Sequence, residues 1–364
     1  MLFPDGFIPI RQDTGEDQAG APESVPPPPK SVTEHLAFIR RLMPDLLREA
    51  SASVERNDLP LLHWGPDARR VDHLAPAFLS GPVAFVGDIH GDYLALFTLA
   101  QVVFQNPDAR LVFLGDLVDR GPYSLECFAA LLHLILNNPS RVVWIAGNHD
   151  TGVSWNAEVQ TFSSDVSPSE FSEFLNSSEN AETLVQWGKL FVNVVSMLPR
   201  ALLFPDGLLA THGGVPLGDR FSALDSLDSL NQADCLEDFT WTRAVPYPRR
   251  IGWKIDTERR LRSSAFEFGY EDLWQFCEVV RPFYDVARLV RGHDHVPDAL
   301  DIPEQYKKTP LMTINGFGFD YLTCTPQTYR PSLLWAEYLP GEEPRIHYIG
   351  VDPVQYRSFY WKQD

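Results

Sequence analysis

The sequence predicts an α/β fold in which two mixed β-sheets face each other, with helices on their outer sides. From residue 82 onward, short apolar runs alternate with helical stretches of about ten to fifteen residues, an order typical of βαβ units in a parallel sheet. Each of the first three predicted strands ends in a glycine followed by a polar residue. In such sheets ligands bind at the carboxyl ends of the strands, so we expect the functional site there.

The first predicted sheet contains three parallel strands joined by helices. Strands are predicted at residues 83–86, 111–114 and 142–145, because each is a short apolar run bounded by polar or glycine residues. The stretches between them repeat apolar residues at helical spacing. They predict helices at residues 93–104 and 125–136.

The second half of the chain predicts a cap, a hairpin and a second sheet. Residues 151–199 begin rich in serine and glutamate and continue into a helical pattern at 183–197, so they predict a helical cap. The Pro205-Asp206-Gly207 turn joins two apolar runs into a hairpin that ends at His212. A strand is predicted at residues 287–291, and strand-like runs at residues 311–314, 333–338 and 345–351 predict a second, more antiparallel sheet.

The N-terminal part differs from the rest in composition. Residues 1–30 contain seven prolines and few large apolar residues, so they predict a disordered proline-rich tail. Residues 31–80 predict a helical extension, since apolar residues recur there at helical spacing as far as residue 50. The α/β domain is expected to span residues 81–364.

The totals exclude several classes of protein. The net charge of −19 disfavours a nucleic-acid-binding surface. No apolar run is long enough to span a membrane, and no secretory signal is readable at the N-terminus. Scattered cysteines without a Cys-x-x-Cys pair argue against a thiolate zinc site or a disulfide framework, so a reducing, cytoplasmic location is expected. The cysteines are Cys127, Cys235, Cys277 and Cys324.

Metal-ligand residue types follow several of the predicted strands. Carboxylate, amide and imidazole donors without thiolates suit manganese, iron or zinc. They are too many for one ion, and they predict two divalent or trivalent ions roughly 3.5–4 Å apart, sharing a carboxylate, with an activated water as the nucleophile. The predicted ligands are Asp88, His90, Asp116, Asn148, His212 and His293.

The predicted ligands divide into two sites. Asp88 and His90 would leave a strand on the same face and hold the first ion, although alone they could equally form a buried ion pair. Asp116, central in the order, is expected to bridge. The remaining three residues would complete the second site. His295 is either a residue behind the ligands or a surface residue, and Asp92 is expected to cap the following helix.

The sequence blocks around these residues resemble the signatures of the calcineurin-like metallophosphoesterases, and more narrowly the PPP group of serine/threonine protein phosphatases. The similarity covers roughly residues 75–350. The residues that carry it are Gly87-Asp88-Ile89-His90-Gly91, Gly115-Asp116-Leu117-Val118-Asp119-Arg120-Gly121, Ser124-Leu125-Glu126, Gly147-Asn148-His149-Asp150, His212-Gly213-Gly214 and Arg291-Gly292-His293.

The resemblance implies roles for further residues. His149 matches the general acid that protonates the leaving group, and Asp119 matches the carboxylate that orients it. Arg120 matches an arginine that binds phosphate. A second such arginine is expected, either Arg262 by its local pattern or Arg243 in its Trp-x-Arg context.

The function implied by the resemblance is metal-dependent hydrolysis of phosphomonoesters by a metal-bridging hydroxide. The expected substrates are phosphoproteins, first on serine and threonine and also on tyrosine; a regulatory partner is left open. One alternative is a dinucleotide polyphosphate hydrolase or phosphodiesterase on the same dimetal site. Another is a non-catalytic phosphate-binding module.

Two departures from the group bear on specificity. Asp150 stands where the protein phosphatases usually have glutamate, so its contacts must be rebuilt. Residues 313–320 lack the Tyr-Cys pair of the group's active-site loop, and toxin sensitivity does not carry over.

Overall fold

The computed structural model describes residues 31–56, 58–59, 70–74, 79–177, 181–218, 220–246, 267–318 and 332–360. Its helices are α1 (Val32–Arg56), α2 (Tyr93–Val103), α3 (Ser124–Asn137), α4 (Asn148–Gly152), α5 (Glu170–Leu175), α6 (Ala181–Met197), α7 (Ala233–Trp241), α8 (Tyr270–Val280) and α9 (Pro353–Tyr360). Its strands are β1 (Val71–His73), β2 (Val83–Val86), β3 (Arg110–Phe113), β4 (Val142–Trp144), β5 (Val153–Asn156), β6 (Thr161–Ser164), β7 (Ala201–Leu203), β8 (Leu208–Thr211), β9 (Arg243–Ala244), β10 (Glu267–Phe268), β11 (Arg288–Arg291), β12 (Leu300–Asp301), β13 (Leu311–Ile314), β14 (Ser332–Tyr338) and β15 (Arg345–Gly350).

Two mixed sheets form the centre of the fold, as the sequence predicts. The first sheet has the order β15-β14-β2-β3-β4 and the second has the order β1-β7-β8-β11-β13-β12. Apolar side chains from both sheets, such as Phe85, Leu114, Leu208 and Met312, pack in one buried cluster between them. Helices α1, α2, α3 and α6 cover the outer face of the first sheet, and α7 and α8 cover that of the second.

Parallel strands bring the polar clusters to one edge of each sheet. Strands β2, β3 and β4 are parallel neighbours in the first sheet, and β8, β11 and β13 are parallel neighbours in the second. The predicted hairpin is present, because β7 pairs antiparallel with β8. Asp92 caps α2 as predicted, since its carboxylate accepts a hydrogen bond from the Ala95 amide.

The prediction for the last two strands is wrong in their sheet assignment. Strand β14 pairs antiparallel with β2, with Ala336 opposite Phe85, and β15 pairs with β14 at the edge. They therefore extend the first sheet. The second sheet is built mainly of parallel strands, because β11 and β13 join β8 in that direction.

The predicted cap contains a hairpin as well as helices. Antiparallel strands β5 and β6 come first, followed by α5 and α6. The Phe162 ring is buried in the cap, and a Cβ added to Gly188 of α6 would lie 2.3 Å from it. The absence of a side chain at Gly188 thus lets α6 approach the hairpin closely.

Helix α1 belongs to the same apolar cluster as α2 and α3, where Leu36, Ile39 and Ala50 are buried. Residues 1–30, predicted as a tail, lie outside the described residues. None of the described helices combines the length and apolar character needed to cross a bilayer.

Candidate metal centre

The candidate site lies where the carboxyl ends of the two sheets meet. Asp88 follows β2, Asp116 follows β3, and Asn148 begins α4 directly after β4. The backbone turns sharply at this edge, because His90 and Asp116 have φ angles of 48° and 51°, in the left-handed region. Asp88 and His90 therefore converge through a turn after the strand, and strand alternation is not the cause.

Two glycines allow the backbone to approach the carboxylates closely. A Cβ placed on Gly147 would lie 2.1 Å from Asp116 Oδ1, and one on Gly292 would lie 2.3 Å from Asp88 Oδ1. Any side chain at these positions would displace a carboxylate. The glycines of the blocks are thus required by the packing of the site.

The first group of donors consists of Asp88, His90 and His295. The Nε2 atoms of the two imidazoles are 3.2 Å apart. Asp88 Oδ2 is buried and lacks a well-formed hydrogen bond within the described part of the chain. His295 Nε2 and His90 Nε2 lie 3.5 and 3.9 Å from it.

The second group consists of Asp116, His212 and His293, with the Asn148 amide beside them. His212 Nε2 lies 3.0 Å from Asn148 Oδ1, 3.1 Å from His293 Nδ1 and 3.3 Å from Asp116 Oδ1. These donors come from both sheets and converge on one small volume.

Asp116 lies between the two groups. Its Oδ2 atom is 3.6 Å from His90 Nε2, whereas its Oδ1 atom faces His212. Burial alone would raise the pKa of Asp116, but the neighbouring His212 and His149 lower it well below its usual value. Asp116 is therefore an ionised carboxylate within reach of both groups.

Backbone carbonyls orient the imidazoles. His90 Nδ1 lies 2.9 Å from the Val118 carbonyl, and His212 Nδ1 lies 2.8 Å from the Leu114 carbonyl. His293 is turned the other way, with Nε2 3.1 Å from the Trp241 carbonyl. In each ring one nitrogen faces a carbonyl, so the other nitrogen faces the cluster.

The site fits a pair of transition-metal ions. Burial lowers the pKa of His90 and of His293 well below the usual value, so both rings are neutral and available as ligands. Pairs of imidazole nitrogens converge to 3.2 and 3.1 Å beside a buried carboxylate oxygen, an arrangement that suits donors around a cation. The mixed oxygen and nitrogen donors suit manganese, iron or zinc.

A carboxylate–imidazole pair adjoins the first group. His149 Nδ1 lies 2.7 Å from Asp119 Oδ2, and the two ring centroids of His149 and His90 are 4.9 Å apart. The Phe171 amide donates to the other Asp119 oxygen at 2.8 Å. Asp119 thus holds the His149 ring by Nδ1, which leaves Nε2 free of this contact.

The predicted arginines Arg120 and Arg243 differ in what their side chains contact. Arg120 follows Asp119, and its Nε atom is buried without a hydrogen-bond partner among the described residues. Arg243 Nη1 donates to Asp294 Oδ1 at 2.8 Å, so its guanidinium is held in an ion pair beside His293. Arg262 lies outside the described residues.

Asp150 shows how the shorter side chain is accommodated. Its two carboxylate oxygens accept the amides of Leu117 and Gly147, each at 2.9 Å. Burial and the nearby charge of Asp116 raise the pKa of Asp150 to about 6. Asp150 therefore ties the Asp116 loop to the start of α4.

The sequence predicts neither the approach of His295 to Asp88 nor the buried contacts of the Arg291 side chain. Strand β11 ends at Arg291, and His293 has a φ angle of 69°, so His295 returns to the cluster through a turn. The spacing of two histidines in Gly-His-x-His was the available signal. The Arg291 side chain is fully buried and binds the Gly213 and Thr242 carbonyls.

Phe317 is the other residue that sequence reasoning left unassigned. It lies where the Tyr-Cys pair was missing, and its ring centroid is 5.8 Å from that of His90 and 5.1 Å from that of His295. Its amide donates to the Asp88 carbonyl at 2.8 Å. The loop thus presents an apolar wall to the first group.

Comparison with known proteins places the chain in a family. The family model described as calcineurin-like phosphoesterase matches residues 81–297. A serine/threonine-protein phosphatase of Caenorhabditis elegans is 30% identical over 231 residues, which cover 61% of this chain and 45% of the relative. The PP2A-like serine/threonine-protein phosphatase PPG1 of Candida albicans is 27% identical over 219 residues, covering 59% and 47%. The chain spans about half the length of these curated relatives.

A solved structure supports the fold independently. A Saccharomyces cerevisiae protein serine/threonine phosphatase, described as similar to human phosphatase PP5, superposes with a TM-score of 0.59 at 15% identity. The match covers 87% of this chain and 96% of the yeast chain. At that identity the similarity shows the fold alone. The family match, which includes every strand end of the candidate site, shows that the chain belongs to the calcineurin-like metallophosphoesterases.

Proposed function

We propose that this chain is a metal-dependent phosphomonoesterase that removes phosphate from serine and threonine residues of proteins, with phosphotyrosine as a further substrate class. The observation that carries the proposal is the position of Asp116 between two groups of buried donors, with the His149–Asp119 pair directly beside them. The names of the curated relatives support a phosphoprotein substrate.

The donors would divide between two ions. Asp88, His90 and His295 would hold the first, and Asp116 would contact both. Asn148, His212 and His293 would hold the second. When bound, the ion pair would acidify a water molecule to give the nucleophile and would neutralise charge on the phosphoryl oxygens. We propose manganese, iron or zinc from the donor chemistry.

His149 would serve as the general acid. Because Asp119 engages Nδ1, the Nε2–H of the ring is available for the oxygen of the leaving group. The adjacent Asp119 carboxylate keeps the imidazole oriented. Proton transfer matters most for serine and threonine esters, since an alkoxide is a poor leaving group.

Arginine side chains would bind the phosphoryl oxygens. The Arg120 guanidinium has a planar array of donors that matches phosphate, and its Nε atom has no hydrogen-bond partner among the residues that the structure describes. The second arginine would be Arg262 by sequence pattern. Arg243 could serve only by sharing its guanidinium between Asp294 and the substrate, because that ion pair is already formed.

The compartment is also a proposal. Cys127 and Cys277 form no disulfide in the described part of the chain, which agrees with a reducing, cytoplasmic location.

The test is metal-dependent hydrolysis of a panel of phosphoserine, phosphothreonine and phosphotyrosine peptides, with p-nitrophenyl phosphate as a reference. We expect manganese-stimulated activity that Asp88→Asn and His90→Asn each abolish. The control is Asp45→Asn, which alters an exposed carboxylate on α1. Full activity in the site variants would refute the dimetal mechanism.

The same assay separates the alternatives. Faster cleavage of diadenosine tetraphosphate than of every phosphopeptide would favour a dinucleotide hydrolase. Wild-type protein without bound transition metal and without turnover would favour a phosphate-binding module.

A further inference from the structure

Helix α5 of the cap contacts the segment that carries Asp119 and Arg120. The Arg120 amide donates to Glu170 Oε2 at 3.1 Å, and the Phe171 amide donates to Asp119 Oδ1 at 2.8 Å. Glu170 and Phe171 are the first two residues of α5, and they lie some fifty positions beyond their partners in the sequence. Two neighbouring cap residues therefore hold two neighbouring residues of the candidate site.

The contacted segment has an unusual backbone. Asp119 and Arg120 both have φ angles of 67°, in the left-handed region that non-glycine residues seldom occupy. Such conformations persist only where surrounding contacts fix them. The Ser124 hydroxyl accepts the Asp119 amide at 3.1 Å, and the Glu170 carboxylate accepts the next amide along the chain.

We propose that Glu170 is a positioning residue for phosphate binding. By holding the Arg120 amide, its carboxylate fixes the left-handed turn and hence the direction in which the guanidinium leaves the backbone. The adjacent Phe171 amide fixes Asp119, and through it the His149 ring. The effect of Glu170 on phosphate binding and turnover rests on the function proposed above, whereas its contact with the Arg120 amide is independent of that function.

A neighbouring glutamate of the same helix provides a contrast. Acidic residues in the first turn of a helix ordinarily interact with the helix dipole or with local donors. Glu173 behaves in that way, because its carboxylate accepts the Ser169 hydroxyl at 3.1 Å. Glu170 instead reaches across to the Arg120 backbone. Both side chains are exposed, so either one is replaceable without opening the core.

The first measurement is hydrogen exchange of the Arg120 amide in the metal-free protein. Glu170→Ala removes the acceptor and should speed that exchange by roughly tenfold, whereas Glu170→Gln keeps an acceptor oxygen and should restore most of the protection. Glu173→Ala is the matched control and should leave the Arg120 amide unchanged. Wild-type protection in Glu170→Ala would overturn the proposal.

The second measurement is binding of inorganic phosphate to the manganese-loaded protein by calorimetry, together with kcat and KM on a phosphoserine peptide. Glu170→Ala should weaken phosphate binding and lower kcat/KM by roughly tenfold, because the guanidinium loses its fixed direction. The melting temperature should stay unchanged, since the Glu170 side chain is exposed. Glu170→Gln should retain most of both. A glutamine variant as impaired as the alanine variant would contradict the acceptor role.

The two hypotheses fail in different ways. Wild-type protein that binds phosphate more tightly than Glu170→Ala, but turns over no phosphomonoester, would refute the proposed function and support the positioning role. Normal turnover in Glu170→Ala, with unchanged exchange and phosphate affinity, would refute the positioning role and leave the function standing.

Discussion

The two sheets of the sandwich contribute different chemistry to the candidate centre. The carboxyl edge of the first sheet provides all of the oxygen donors, Asp88, Asp116 and Asn148, together with one imidazole. The carboxyl edge of the second sheet provides only imidazoles, which are His212, His293 and His295. Carboxylate donors are thus concentrated on one sheet and imidazole donors on the other.

This difference means that neither sheet alone completes either of the two donor groups proposed to hold the ions. His295 of the second sheet stands beside Asp88 and His90, while Asp116 of the first sheet stands beside His212 and His293. Each group spans the interface between the sheets. Metal ions bound there would link the two halves of the sandwich, and their binding energy would contribute to folding stability.

The largest effect is expected when the shared charge is removed. The Asp116 Oδ1 atom accepts the His149 amide at 2.9 Å, and Asp116→Asn keeps an oxygen for that bond. The substitution removes the charge of the carboxylate whose two oxygens face the two groups. We expect a loss of p-nitrophenyl phosphatase activity on the order of 10³-fold, since the charge acts in a buried site. Metal analysis should show that both ions are lost.

Asp234→Asn, on the exposed start of α7, is the control for Asp116→Asn and should retain full activity and metal content. If Asp116→Asn kept two ions and wild-type turnover, the shared carboxylate would have no bridging role.

The positions of the oxygen donors were predictable from sequence because each follows a short apolar strand directly. Parallel pairing of β2, β3 and β4 then brings Asp88, Asp116 and Asn148 to one edge without any long-range information. The assignment of β14 was not predictable in this way. Its partner β2 is distant in the sequence, and an apolar run does not specify which sheet it joins.

His295 reaches the candidate centre because the chain turns after β11. A strand continuing past Arg291 would have carried His295 away from the centre, whereas the left-handed φ of His293 returns the chain toward Asp88. Backbone turns of this kind depend on tertiary contacts, such as the hydrogen bond from the His293 amide to Asp88 Oδ1 at 3.0 Å. The spacing of the histidines alone does not reveal them.

A smaller effect is expected from His295, which tests whether the second sheet contributes to the first ion. His295→Gln should weaken binding of one of two manganese ions by roughly 10–100-fold, because it removes one donor while Asp88 and His90 remain. The increase in melting temperature caused by manganese should shrink accordingly. Titration calorimetry and thermal unfolding with and without the metal measure these effects.

The matched control for His295→Gln is Asp298→Asn, three residues further along the same loop and outside both donor groups. Two manganese sites of unchanged affinity in His295→Gln would confine the first ion to donors of the first sheet.

The smallest effect on activity and metal binding concerns buried histidines that serve no ion, and it shows what burial does to an imidazole without a ligand role. His35 of α1 lies with Nδ1 2.7 Å from the Tyr93 hydroxyl, and burial, with a contribution from His133, lowers its pKa to about 3. Burial lowers the pKa of His133 to about 4. Because the unfolded chain binds protons near pH 6.5 and the folded chain does not, stability is full above that pH and falls below it.

His35→Phe should flatten this acid dependence. For each such histidine the free energy of unfolding falls by about 1.4 kcal/mol per pH unit below pH 6.5, until the folded-state pKa is reached. The comparison uses urea unfolding at several pH values between 4 and 8, and the difference between variant and wild type isolates His35 from the histidines of the metal centre. Tyr93→Phe is the control: it should lower stability by about 1 kcal/mol at every pH, since it removes only the hydroxyl. Parallel curves for His35→Phe and the wild type would show that His35 binds its proton as readily in the folded protein as in the unfolded chain, and burial alone would then not keep an imidazole neutral in this protein.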